Sequence, residues 1–299
     1  MSDTLSPVPG SATENQTMAR TSRYLGCRVA FLTQHGKEKI VAPELETALG
    51  CRVAHVSGFD TDQLGTFTRD IPRAGVQFEA ARKKARLGME LAGLPLGIAS
   101  EGSFGPDPFI GMLSWNVEML IWIDDTLGIE VVGVAAGKTN FAHQLTADWG
   151  VAEAFARATG FPEHGLVVRP QHEEDVRIRK GIADWQTLRA AFDWACGEAG
   201  NGLVFLETDV RAHMNPARMK VIAQAAQNLA LKLRTLCPAC DLLGFQLAER
   251  VPGLPCEDCG SPTREAQAEI HRCLRCGHQV TIARLEKAAT ASRCDWCNP

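Results

Sequence analysis

From Cys27 onward, short apolar runs alternate with longer segments whose apolar residues recur every three or four positions, the two periodicities of strands and amphipathic helices. CRVAFLT (27–33) predicts a strand, VAPELETAL (41–49) a helix and CRVAHVSGF (51–59) a second strand. GVQFEAARKKARLGMELAG (75–93), dense in good helix formers, predicts the strongest helix of the chain. PLGIAS predicts a strand ending at Glu101, and NVEMLIWIDDTLGIEVVGVAAG predicts two strands joined by a turn at Asp124, Asp125 and Gly128. Helix DWGVAEAFARATG, strand HGLVVRP, helix DWQTLRAAFDWACGEAG, strand GLVFLETD and helix PARMKVIAQAAQNLALKLRTL follow in turn. Such alternation predicts an α/β fold, a mixed sheet covered by helices.

Two composition changes punctuate this pattern. Residues 1–22, rich in Ser, Thr and Pro and poor in large apolar side chains, predict a flexible tail ahead of an α/β body over 23–236. Within the body a weak boundary falls near residue 140, at GKTNFAHQ. At Leu236 the composition shifts abruptly, and residues 237–299 carry four Cys-x-x-Cys pairs: Cys237/Cys240, Cys256/Cys259, Cys273/Cys276 and Cys294/Cys297. Eight thiolates in four such pairs suit two tetrahedral four-sulfur zinc sites in a zinc-ribbon-like module. The spacers of 15, 13 and 17 residues leave both sequential and interleaved pairings open. Gly260 and Gly277, each directly after a pair, suit the tight turn that wraps a metal knuckle. His271 and His278 are expected beside the metal shells rather than in them, and both zinc ions are expected to be structural.

Charge narrows the partners less than the cysteines do. A net charge of −4 gives no global attraction to a phosphate backbone. The module, where Glu257, Asp258, Glu265, Glu269 and Asp295 dilute Arg264, Arg272, Arg275 and Arg293, leaves nucleic acid or protein open as its partner. No apolar run reaches the ~20 residues of a spanning helix, and paired cysteines without a secretory signal point to a reducing, cytoplasmic setting and to no membrane partner.

Candidate chemistry lies in the body. FLTQHGKEK runs from a strand into a turn carrying Lys37, TRDIPRAG offers Arg73, and EAARKKAR places Glu79 and Lys84 on the strongest helix. IASEGSFGPDPF then sets Glu101 at a strand end and Asp107 in a Gly- and Pro-rich loop. Carboxylates and cations meeting at strand ends would form a site for a phosphorylated small molecule, with magnesium on the carboxylates and phosphate on the cations. The order of these motifs resembles the inosine triphosphatase-like nucleotide pyrophosphatases. Thr33 and Lys37 keep the spacing of that family's first motif with Gln34 in place of Asn, and Glu79, Ala81, Lys84 and Ala85 keep the second with Ala80 in place of Asn. Ser100-Glu101-Gly102-Ser103 stands where the family has Asp-Asp-Ser-Gly. This resemblance, over residues 28 to 110, implies phosphate binding by Lys37 and Lys84 and a catalytic or metal-binding role for Glu79 and Glu101.

A second candidate is LETDVRAHMNPARMKVI, where Asn215-Pro216 reads as a helix cap and Asp209 as a turn cap. Arg211, His213 and Arg218 are more than capping requires. Asp148 is expected to start the helix that follows it. Taken from LTQHGKE through RAGVQFEAARKKA, SEGSFGPDPF and ETDVRAHMNP to CDWCNP, the chain resembles a bacterial family known as a domain of unknown function, which implies that body and cysteine module form one unit. The expected function is a magnesium-dependent hydrolase for a nucleotide or other phosphorylated small molecule; the alternative is a non-enzymatic adaptor working through its zinc module.

Overall fold

The computed structural model describes residues 22–59, 77–108 and 111–299. The expected tail, Ser22 apart, and the Arg73 segment lie outside the described residues. The fold is mixed α/β, with a five-stranded, a four-stranded and a three-stranded sheet.

The first sheet has the order β2-β1-β3-β4-β5. Strands β1 (Arg28–Leu32), β2 (Arg52–Val56) and β3 (Leu96–Pro106) are mutually parallel where they pair, while β4 (Ser114–Asp124) and β5 (Ile129–Lys138) add antiparallel hairpins. Helix α1 (Glu38–Leu49) connects β1 to β2, and α2 (Gln77–Ala92) leads into β3 on the far side of β1. Each helix buries a stripe of small or branched apolar residues. Val41, Leu45 and Leu49 of α1 join the main core, whereas Ala81, Ala85 and Met89 of α2 pack with Ala30, Ala99, Ile121 and Ile123 in a separate cluster. The two helices therefore cover opposite faces of the sheet.

One expectation is corrected here. Strand β3 does not end at Glu101 but continues through the Gly-rich stretch to Pro106, because every residue from Leu96 to Pro106 finds a partner on β4, from Asp124 to Ser114. Strand β1 meets β3 only at Gly97 and Ile98. Among the described residues the distal half of β3 is thus flanked by β4 alone, which leaves a slot in the sheet beyond the carboxyl end of β1.

The second sheet, β6-β9-β7-β8, is formed by β6 (His143–Thr146), β7 (Leu166–Pro170), β8 (Arg179–Ile182) and β9 (Val204–Thr208). Helices α3 (Trp149–Ala158) and α4 (Trp185–Glu198) cover one face of it, around Leu166, Val168, Val204 and Leu206. Asp148 caps α3 by accepting from the Val151 N–H, as its position before the apolar run predicts. The short strands β6 and β8 are not legible in the sequence, being four residues each with polar positions.

Helix α5 (Pro216–Arg234) returns the chain to the first sheet. Asn215 caps it, accepting from Arg218 N–H at 2.9 Å, and Ile222, Ala225, Ala226 and Leu229 enter the main core. Gly133 of β5 allows the close approach: a Cβ there would lie 2.5 Å from the Ala225 carbonyl oxygen and 2.5 Å from Leu229 Cβ. After α5 the cysteine module begins, with an antiparallel sheet of β10 (Gln246–Pro252), β11 (Ala266–Arg272) and β12 (Gln279–Ala283). Cys237, Leu242, Leu243, Phe245 and Cys273 belong to the same core as Val131 and Leu229 of the body. The near end of the module is therefore part of the main core.

Candidate functional site

Two sites emerge. The cysteine pairs combine as Cys237, Cys240, Cys273 and Cys276, and as Cys256, Cys259, Cys294 and Cys297, with all four sulfurs of each group within 4.8 Å of one another. Pairing is interleaved because β10 and β11 are antiparallel. The first pair precedes β10 and the third follows β11, so the strands bring them together, while the second pair sits in the hairpin connection and is met by the fourth. The chemistry of the donor set fits a tetrahedral metal: a site with metal–sulfur bonds of about 2.3 Å has edges of about 3.8 Å. The Sγ–Sγ separations are 3.7 Å for Cys237–Cys276, 3.6 Å for Cys240–Cys273, 3.9 Å for Cys256–Cys297 and 3.7 Å for Cys259–Cys294. These are nearly twice a disulfide bond length.

The turns serve the same end. Asp241, Gly260 and Gly277, each directly after the second cysteine of a pair, adopt φ of 55°, 70° and 72°. That left-handed residue closes the knuckle and turns N–H groups toward sulfur: Ala239 donates to Cys237 Sγ at 3.4 Å and Arg275 to Cys273 Sγ at 3.4 Å. His271 and His278 flank the Phe245 ring, at 6.0 and 6.2 Å between centroids, and neither belongs to a tetrad. Arg250, Arg264, Arg284 and Arg293 each pair with a module carboxylate, Glu269, Asp295 or Glu265. Much of the module's positive charge is spent internally.

The second site lies at the slot beyond β1. Residues paired across β3 and β4 share a face of the sheet, so Gly102 and Glu118 point one way and Glu101 and Met119 the other. On the α2 face Glu101 forms an ion pair with Lys84. On the α5 face Glu118, fully buried, accepts from Arg218 Nε at 2.7 Å, and Arg218 is itself only 2% exposed. Arg218 Nη1 also donates to the Val210 carbonyl at 2.7 Å, tying the pair to the end of β9. Gly102 makes room for this pair, since a Cβ there would sit 2.2 Å from Glu118 Oε1 and 2.7 Å from Arg218 Nη2.

Lys37 stands between the two pairs. Its ammonium, buried at the start of α1, donates to the Ser100 carbonyl at 3.1 Å and to Ser100 Oγ at 3.4 Å. Burial, reinforced by the Arg218 charge, pulls its pKa down to about 7 against the opposing pull of Glu118 and Glu101. Asn116 donates to Glu118 at 2.9 Å, and Gln77 at the start of α2 donates to the Glu101 and Val117 carbonyls at 2.8 and 3.2 Å, locking the hairpin. Three cations and two carboxylates thus converge from α1, α2, α5, β3 and β4.

Lys37, Lys84 and Glu101 come together as the sequence suggests. Glu79 does not join them: it is turned to the helix surface, pairing with Arg82 at 3.0 Å, and Arg82 in turn pairs with Glu130. Arg73 lies outside the described residues. Asp107 is a turn residue, its carboxylate accepting from the Met112 and Leu113 N–H groups. Asp209 accepts from Arg211 and from the Gly181 N–H at 3.1 Å, which accounts for Asp209 and Arg211 as turn-forming residues. The residue that sequence reading missed is Glu118. Its signal was a lone carboxylate in the apolar run SWNVEMLIWID, where burial demands a partner.

The family described as "Domain of unknown function (DUF6671)" matches residues 84–299, and the chain belongs to it. No curated protein and no solved structure matches the chain. No helix among the described residues is long and apolar enough to cross a membrane.

Proposed function

We propose, with membership of this family as the premise, that the slot beside β3 binds and hydrolyses a phosphorylated small molecule, and that the two cysteine tetrads hold structural zinc ions. The observation that carries the first part is the convergence of Lys37, Lys84 and Arg218 at the carboxyl end of β1. The helices that follow β1 and precede β3 cover opposite faces of the sheet, and the crevice at the carboxyl ends of parallel strands is where α/β sheets bind ligands. With Lys37 protonated, three positive charges face two carboxylates among the described residues, which leaves the cluster with an excess of one cation. An anion completes it.

The cluster does not fit a resident magnesium ion. Glu101 and Glu118 are each engaged by a cation, and Glu79 is at the surface. Magnesium would arrive, if at all, on the phosphate of the substrate. Glu101 then serves to hold Lys84 against the sheet, and a nucleotide is the first substrate class to test. The internal pairing of the module's arginines favours this reading over a nucleic-acid adaptor.

The test is a panel of nucleoside triphosphates and phosphate monoesters assayed for phosphate release with magnesium. Lys84→Met is expected to lose about 10²-fold or more in kcat, the scale of losing one fixed positive charge at developing phosphate charge, and Glu101→Gln, which only frees Lys84, should lose less. Absence of turnover of every substrate by the wild type would sink the reading.

Anion binding has a separate signature in pH. Only the protonated Lys37 attracts an anion, and the bound anion raises its pKa above the free value of about 7. Sulfate, whose charge is constant near neutrality, should therefore bind with full affinity below pH 7 and lose up to about tenfold per unit above it, by linkage. Calorimetric titration at pH 6, 7 and 8 would read this, and Lys37→Met should remove the loss between pH 7 and 8. A pH-independent affinity in the wild type would exclude Lys37 from the anion site.

A further inference from the structure

We infer that His35 is the proton-transfer residue of this crevice and that His213 is the positioning residue that holds it there. This rests on the hydrolytic reading above, and it answers what that reading lacks. Lys84 and Arg218 are held by Glu101 and Glu118 and supply fixed charge, and Lys37, which a bound anion keeps protonated, offers no proton acceptor in the complex. Imidazole is the side chain whose ordinary pKa lies where proton transfer at neutral pH needs it.

His35 follows β1 and precedes Lys37 by two residues. Its φ of 67° and the φ of 72° at Gly36 make two successive left-handed residues, a conformation that disfavours any side chain with a Cβ. A glycine would form the same turn without that cost. The turn lays the imidazole against His213, with ring centroids 4.8 Å apart and planes 17° from parallel. His213 sits in the short 3-10 turn Ala212–Met214 that follows β9, between Arg211 and the capped start of α5 that carries Arg218. The stacked pair thus joins the loop after β1 to the loop after β9, one from each sheet, with Lys37 two residues after His35 and the Asn215 cap of α5 two residues after His213. Strained backbone at a strand's carboxyl end is where functional side chains concentrate.

The step balances as a hydrolysis. Neutral His35 accepts a proton from water as the water oxygen bonds to phosphorus. The bond from phosphorus to the leaving oxygen breaks, and its electron pair stays on that oxygen, whose charge faces Lys37, Lys84 and Arg218. The proton on His35 then passes to the leaving oxygen or to solvent, which restores the neutral imidazole. Because the neutral ring is the working form, activity is lost as pH falls through the imidazole pKa.

The test uses the full-length chain and a substrate that the wild type turns over. His35→Gly suits the left-handed turn, so its melting temperature should equal or exceed that of the wild type, while kcat falls by about 10²–10⁴-fold, the range of a general base. KM should stay within a few fold, the acid limb of the pH–rate profile should disappear, and added imidazole should restore part of the rate. His213→Gln should lower kcat less and displace the acid limb without removing it. Wild-type kcat and an unchanged profile in His35→Gly would overturn this inference and leave the hydrolytic reading standing. A lower melting temperature in His35→Gly, with no rescue by imidazole, would overturn it as a structural residue. A wild type without turnover would overturn both.

Discussion

Replacing Cys237 and Cys240 by serine is expected to lower the melting temperature of the whole body by roughly 10 °C or more, whereas replacing Cys294 and Cys297 should loosen only the far end of the module. The two tetrads have the same donors but different neighbours. Cys237 and Cys273 are buried in the cluster that contains Val131, Leu229 and Leu233, so the first tetrad closes the main core. Gly244, between the first knuckle and β10, brings the chain so close to the body that a Cβ would lie 3.2 Å from Val131 Cγ2. The second tetrad rests on a local bridge between Cys256 and Ala289 and on hydrogen bonds within the module. Zinc binding by four thiolates is worth about 10–16 kcal/mol in small domains, most of it folding energy. If only ~4 kcal/mol of that reaches the body, the melting point falls by roughly 8–16 °C for a unit of 150–250 residues. Circular dichroism at a helix wavelength reports α1–α5 and is insensitive to the module's short strands. Equal helix melts for the two double variants would sink the distinction, and metal analysis should give two zinc ions for the wild type and one for each variant.

Where the sequence is legible, one periodicity dominates a long segment. Helix α2 is marked by its helix formers and α5 by Asn215-Pro216 and its apolar stripe, and both stand where the pattern puts them. The strand run GIASEGSFGP is misread beyond Glu101 because glycines suggest a loop, while in the sheet Gly102 is bare so that the Glu118–Arg218 pair can lie over it. Partner identity across 100 residues is invisible to local patterns. For the same reason the spacers between cysteine pairs did not decide between sequential and interleaved pairing; that choice is made by the antiparallel register of β10 and β11. Lys37, Lys84 and Glu101 stand out because charged residues near strand ends are conspicuous, and they lie close together in the fold. Glu118 does not stand out because it sits inside a strand, and the surface position of Glu79 is not legible because spacing alone does not tell which side of a helix meets the sheet.

The Glu118–Arg218 pair provides the second large effect. Glu118→Leu or Arg218→Met alone should destabilise the fold by about 3–5 kcal/mol, since each leaves a fully buried charge without its counterion. Combining Glu118→Leu with Arg218→Met should recover most of that loss, because an apolar pair of similar volume removes the desolvation cost of both ions. Recovery is expected to be incomplete for an identifiable reason. Arg218 Nη1 also holds the Val210 carbonyl at the end of β9, so the double variant frees one buried acceptor, at a cost of about 1–3 kcal/mol. Urea unfolding of the four proteins closes the cycle, with a coupling energy of several kcal/mol as the expected reading. Additive losses would mean that the two ions do not depend on each other. The cycle also separates stability from function. The double variant should fold yet bind sulfate more weakly than the wild type, since the anion loses the Arg218 guanidinium as a donor although the excess of one cation is unchanged. If the ion pair served packing alone, sulfate affinity would be unchanged in a folded double variant, and the cluster's claim to be an anion site would rest on Lys37 and Lys84 only.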